Sequence, residues 1–258
     1  MVRVAHIIFV AFCLLSQAVF GQTDGTQTAA ARAQRHQSYA KLSRQLFHTE
    51  DDPQSGTRGI SVQRADQLQS QLHELICEEI MTDLAAGASA TSIAGAITDV
   101  QGEQTDKPFV DLLNLNGTKE MAAGYVMARG AQAIPDTQPY LEFYSQLAGA
   151  WRFQAEAPTR SDFRGHTFSV ARMNSGVPGE AWFLAWGIKI GNTGAPLSVR
   201  LYAFDGTTVR TVWRRDGLVA GDLSATSDTV TLEYDREYPR TLNSGVREVL
   251  HITANGLE

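Results

Sequence analysis

The hydrophobic pattern of this chain changes period once, and that change decides which folds are open to it. Up to about residue 104 the apolar residues recur at helical spacing. Tyr39, Leu42 and Leu46 form one such run, Leu68, Leu72, Ile76, Ile80 and Leu84 a second, and Ile93, Ile97 and Val100 a third. Beyond it the period is two. Leu197, Val199, Leu201 and Ala203 alternate with their neighbours, as do Val209, Thr211 and Trp213, then Val230, Leu232 and Tyr234, then Val246, Glu248, Leu250 and Ile252. A strand with unlike faces needs that alternation.

Three helices are therefore expected, over Ala29–His48, from an N-cap at Ser61 to about Ala86, and from about Ser89 to Gln101. Gly87 and Gly102 follow the last two as stops. About ten strands are expected after them, near 109–115, 121–129, 140–145, 151–156, 166–173, 181–190, 197–204, 208–214, 229–235 and 246–253. Asn116-Gly117, Ala148-Gly149 and Asp205-Gly206 sit between such runs as tight-turn signals. Short turns between consecutive strands give an antiparallel meander rather than crossover units. The expected class is α+β, with a helical region over 22–104 and an antiparallel β domain over 105–258, closed as a sandwich or a barrel-like sheet.

Ahead of both lies a segment with the pattern of a signal peptide. Arg3 precedes an unbroken apolar run, Ile7 to Leu15, and Val19-Phe20-Gly21 suits cleavage before Gln22. The run is too short for a permanent membrane anchor. The expected location is secreted or periplasmic, and the expected processed chain holds one thiol, Cys77, because Cys13 leaves with residues 1–21. The net charge is −6 with no block of like charges, which argues against nucleic acid as a partner.

One stretch looks chemically pointed. His73-Glu74-Leu75-Ile76-Cys77 departs by one residue from the H-E-x-x-H helix of zinc proteases. Residues four apart on a helix point the same way, so His73 and Cys77 could share a metal. On a helical wheel with Leu68 at zero, His73 falls at about 140° and Cys77 at about 180°, inside or beside the apolar arc, while Glu74 faces away from it. No third ligand follows on the helix, and His48, His166 and His251 are distant in sequence. The pair is therefore read as core packing, a metal is rejected, and no cofactor is expected.

Other candidates are weaker. Trp182 and Trp186 project from one face of a strand and could form an aromatic platform for sugar rings, although core packing is the plainer reading. Trp213 and Arg214 end a strand where a carboxylate or phosphate could bind, and His166 lies in a loop with acidic residues nearby. No G-x-S-x-G elbow, phosphate-binding glycine loop, EF-hand loop or paired C-x-x-C occurs. Asn116-Gly117-Thr118 matches an N-glycosylation site, and an Asn-Gly turn explains it equally well.

Leu201-Tyr202-Ala203-Phe204-Asp205-Gly206 followed by Val212-Trp213 resembles the inner hairpin of β-propeller blades. A propeller implies at least four such blades, and no repeat of that length recurs, so the hairpin is read on its own turn chemistry. The functional expectation is a noncatalytic binding or scaffold protein with a protein or glycan partner. The alternatives are an extracytoplasmic hydrolase acting on a glycan or ester and, less favoured, a zinc enzyme built on His73 and Cys77.

Overall fold

The computed structural model describes residues 25–47, 62–101, 107–129, 136–191, 194–236 and 245–258. The expected signal segment, His48 and the Ser61 cap lie outside these. Helices α1 (Gly25–Phe47), α2 (Val62–Ala85) and α3 (Ala90–Gln101) come first. Strands β1 (Phe109–Leu115), β2 (Thr118–Arg129), β3 (Asp136–Leu147) and β4 (Ala150–Glu156) follow, then a single helical turn α4 (Thr159–Asp162). Next come β5 (Ser169–Met173), β6 (Ala181–Ile188), β7 (Leu197–Phe204), β8 (Val209–Ala225), β9 (Thr229–Asp235), β10 (Gly245–Thr253) and the short β11 (Gly256–Leu257).

The class is α+β, as the change of period predicts. The strands form two antiparallel sheets in sequential order, β1-β2-β3-β4 and β11-β10-β9-β8-β7-β6-β5. Turn chemistry sets the registers. Asn116 and Gly117 both take positive φ, at 53° and 84°, which is the two-residue turn whose twist matches paired strands. At the β7–β8 turn the Asp205 carboxylate accepts from the Thr207 and Thr208 amides at 2.8 and 2.7 Å.

Three apolar cores stack across these layers. In the first, Leu68, Leu72, Ile76, Ile80 and Leu84 of α2, with Ile93 and Ile97 of α3, pack on Met121, Ala123, Tyr125, Tyr140 and Tyr144 of the four-stranded sheet. The opposite face of that sheet supplies Ala122, Val126, Leu141 and Phe143, which meet Phe183, Tyr202 and Phe204 of the seven-stranded sheet. The far face of the seven-stranded sheet, with Trp182, Leu184, Val199 and Leu201, is covered by Val230, Leu232 and Leu257 from strands further along the same sheet. The seven-stranded sheet thus curls back over its own β6 and β7.

That curl explains one departure from the expected strands. The polar run Arg214-Arg215-Asp216-Gly217 reads as a strand end, yet β8 continues to Ala225. Its first part pairs with β7 and its last part with β9, with register shifts between Leu197 and Val199 and between Val219 and Asp222. Gly217 at φ 70° and Ala220 at φ 46° make the bend, so a turn signal marks a corner inside a strand. In the same way 166–168 is not part of β5; His166 makes only an isolated bridge to Lys189.

Candidate functional site

The first core contains a polar centre. Along β3, Tyr140, Glu142 and Tyr144 alternate onto the helix-facing side of the sheet, so a carboxylate stands among aromatic rings beneath α2. Its side chain has no solvent exposure. A buried charge of this kind must be paired and hydrogen-bonded to persist. Glu142 is both. His73 Nε2 lies 2.6 Å from its Oε1, and the hydroxyls of Tyr125 and Tyr144 donate to its Oε2 at 3.0 and 2.7 Å.

The imidazole is clamped as tightly. The Tyr140 ring stacks on it with centroids 4.3 Å apart and an interplanar angle of 17°. Cys77, one turn further along α2, brings its Sγ to 3.5 Å from His73 Nε2 and to 3.8 and 3.9 Å from the two Glu142 oxygens. The nitrogen, the sulfur and a carboxylate oxygen all lie within 4.8 Å of one another. His73 and Glu142 are buried, whereas Cys77 keeps part of its surface at the rim.

The charge states follow from this packing. Burial opposes a charged imidazole, but Cys77 and Glu142 more than offset it and hold the His73 pKa well above its ordinary value. Burial also opposes the Glu142 carboxylate, and the His73 charge with the hydrogen bonds from His73, Tyr144 and Tyr125 outweighs it and lowers the pKa. Burial pushes the Cys77 thiol up, and so does the nearby Glu142. The shift of the thiol favours its neutral form, and those of His73 and Glu142 favour an imidazolium facing a carboxylate.

Two chemistries suit histidine, cysteine and a carboxylate. In a nucleophile relay the thiol and the carboxylate address opposite ring nitrogens. Here both approach Nε2, so the three groups converge on one point instead of forming a chain. Convergence is the arrangement of a metal chelate. Glu142, from the sheet, is the third group that the helix alone lacks.

The outer rim of the centre is β4. Glu156 lies directly across from Glu142 in the ladder and is held by Arg160 at 2.6 and 3.0 Å. The Arg160 guanidinium sits 5.4 Å from the Tyr140 ring centroid. Trp151 packs against the helical core, and Phe153, on the same face and edge-on to Tyr144, is 43% exposed.

The remaining sequence candidates do not assemble. Trp182 has no exposure, and its indole N–H donates to Glu180 at 2.8 Å. It offers no ring face to a sugar, because alternation along β6 turns it into the third core. Trp186 and Trp213 pack half-buried in that same core, and Arg214 is exposed on β8. His166 is buried elsewhere, beside Phe163, with Nδ1 3.0 Å from the Arg164 carbonyl oxygen; burial keeps its pKa below the ordinary value. Among the described residues no helix is long and apolar enough to cross a membrane.

No family model matches the chain, and no curated protein matches it. Two solved structures are similar over part of it. One is the α-L-arabinofuranosidase Arb93A from Fusarium graminearum in complex with an iminosugar inhibitor, at 13% identity and a TM-score of 0.29. The other is a point mutant of that enzyme, also with an iminosugar inhibitor, at 14% identity and the same TM-score. Each comparison covers 56% of this chain and 45% of the other. At that level the likeness carries no statement about function.

Proposed function

We propose that the protein is an extracytoplasmic, noncatalytic binding module, and that it holds a glycan on the helix-facing side of β4. The apolar run Ile7–Leu15 behind Arg3 supports the location. The observation that carries the binding reading is Phe153, which lies opposite Tyr144 on the helix-facing side of β4 and is 43% exposed there. Trp151 lies beside it, and Glu156 and Arg160 stand on the same rim. An aromatic face with a carboxylate and a guanidinium further along the same strand edge suits a sugar chain, whose rings present C–H groups on their faces and hydroxyls at their edges. The expected aromatic platform is thus moved from Trp182 and Trp186 to β4.

A hydrolase finds less support. Glu142 has no exposed side-chain surface, so no glycosidic bond reaches it, and Glu156 is committed to Arg160.

Calorimetric titration with soluble xylo-, gluco- and chito-oligosaccharides tests the reading. At least one series is expected to bind, and Phe153→Ala is expected to weaken it about tenfold, the equivalent of one lost aromatic contact. Absence of binding across the panel, or equal binding by the variant, refutes it.

A further inference from the structure

We infer that His73, Cys77 and Glu142 form a zinc site. The inference is independent of the glycan reading and stands on four features of the centre.

The first is shape. A tetrahedral zinc with bonds of about 2.0–2.1 Å to nitrogen, 2.3 Å to sulfur and 2.0–2.2 Å to oxygen separates its ligand atoms by about 3.3–3.6 Å. The separation of Cys77 Sγ from His73 Nε2 is 3.5 Å and from Glu142 Oε1 3.8 Å. One of the three edges therefore already has the size a zinc ion requires, and a second exceeds it by about 0.2 Å. The third, 2.6 Å between His73 Nε2 and Glu142 Oε1, is a hydrogen bond; zinc displaces its proton and the Cys77 thiol proton to solvent, and the edge opens by about 0.7 Å.

The second is charge. A thiolate and a carboxylate cancel a divalent cation, and the imidazole adds none. A neutral assembly is what a site beneath a helix, walled by Tyr125, Tyr140 and Tyr144, accommodates without an uncompensated buried charge. The mixture of sulfur, nitrogen and oxygen ligands selects a borderline transition ion over magnesium or calcium.

The third is support around the ligands. Tyr125 and Tyr144 both hold Glu142 Oε2, which leaves Oε1 directed at His73 and Cys77. The Tyr140 stack fixes the imidazole plane. Outer partners that orient a ligating carboxylate and a ligating ring in this way raise metal affinity.

The fourth is access. Of the three residues only Cys77 is not fully buried, so it marks the side of the centre nearest solvent. His73 and Cys77 come from one helix and Glu142 from the sheet, so the ion ties α2 to β3.

The test uses the full chain stripped with chelator, loaded with zinc or with cobalt(II), and desalted. Elemental mass spectrometry is expected to find about one zinc per chain, and cobalt is expected to give a thiolate-to-metal charge-transfer band in the near ultraviolet. Cys77→Ser is expected to abolish that band and to lower zinc affinity at least about tenfold, and Tyr144→Phe to lower it about tenfold with the band intact. Far-ultraviolet circular dichroism shows whether each variant is folded; Cys77→Ser changes one atom at a half-buried position and keeps the fold readable. No retained metal overturns the inference, and so does zinc retained equally by wild type and Cys77→Ser.

Discussion

The hydrogen bonds to Glu142 make its truncation the most informative perturbation of the fold. Glu142→Ala in metal-free protein removes the acceptor of three groups at once, His73, Tyr125 and Tyr144. Breaking a buried pair from one side costs about 3–5 kcal/mol, because the other charge stays behind. Each orphaned hydroxyl adds about 1–3 kcal/mol if water does not reach it. The void left by the carboxylate lies among polar groups, so water enters and offsets that second part. The expected loss is therefore about 3–5 kcal/mol, a large share of the 5–15 kcal/mol typical of a whole domain. In a chain of this size that corresponds to a fall of roughly 6–20 °C in Tm. Urea unfolding followed by far-ultraviolet circular dichroism measures it, with unchanged m-values as the sign that both proteins unfold alike. Glu142→Gln keeps an acceptor for the tyrosines and belongs between wild type and alanine. A loss below about 1 kcal/mol for Glu142→Ala would refute the reading of Glu142 as a buried carboxylate whose partners are left unpaired without it.

The same pair predicts a pH window for metal-free protein. His73 is raised in the folded state, so its contribution is complete below the unfolded imidazole value of about 6.5 and is lost as pH rises through the folded value. Glu142 is lowered, so its contribution is complete above about 4.3 and is lost as pH falls through the folded value. The Tm difference between wild type and Glu142→Gln is therefore expected to be widest between about pH 4.3 and 6.5 and to narrow on both sides; a difference independent of pH contradicts the charge assignment. At Gly187 an added Cβ would sit 1.9 Å from the Thr167 carbonyl oxygen, a backbone atom. Gly187→Ala is expected to cost at least about 2 kcal/mol in urea unfolding, and a neutral effect would show that the β6 crossing by Thr167 is not closely packed.

The helical third was legible because its period is sustained. Three runs with apolar residues three and four apart gave three helices whose ends fall within a few residues of those expected. The strands were legible where they alternate between short turns, as at Asn116-Gly117 and Asp205-Gly206. They were not where β8 bends, since a glycine after two arginines and an aspartate carries the same local signal at a corner as at a stop. The wheel placed His73 and Cys77 correctly toward the core, yet it says nothing of what lies across from them. Glu142 was missed as their partner because its pairing spans helix and sheet. A signal did exist: in Tyr140-Leu141-Glu142-Phe143-Tyr144 the alternation puts a carboxylate on the face of two tyrosines inside an otherwise apolar strand. Glu79 carries a similar signal. It falls at about 20° on the α2 wheel, inside the apolar arc, and it is fully buried against Arg32 and Arg35 of α1. In both cases a charged residue out of phase with its own element marks a partner on another.

The layering has a consequence for how this sequence is free to drift. In β6 and β7 successive side chains enter different cores: Phe183 and Tyr202 face the four-stranded sheet, while Trp182 and Leu201 face the strands that curl over them. Neither strand has a wet face on which polar substitutions are absorbed, and a change of volume at one position is felt in one core while its neighbour answers to another. Variation is left to β10, whose residues alternate between exposed and half-buried, and to the outer faces of α1 and α2. The pair Ala181–Ile188 and Leu197–Phe204 is therefore the part of the fold with the least room for change.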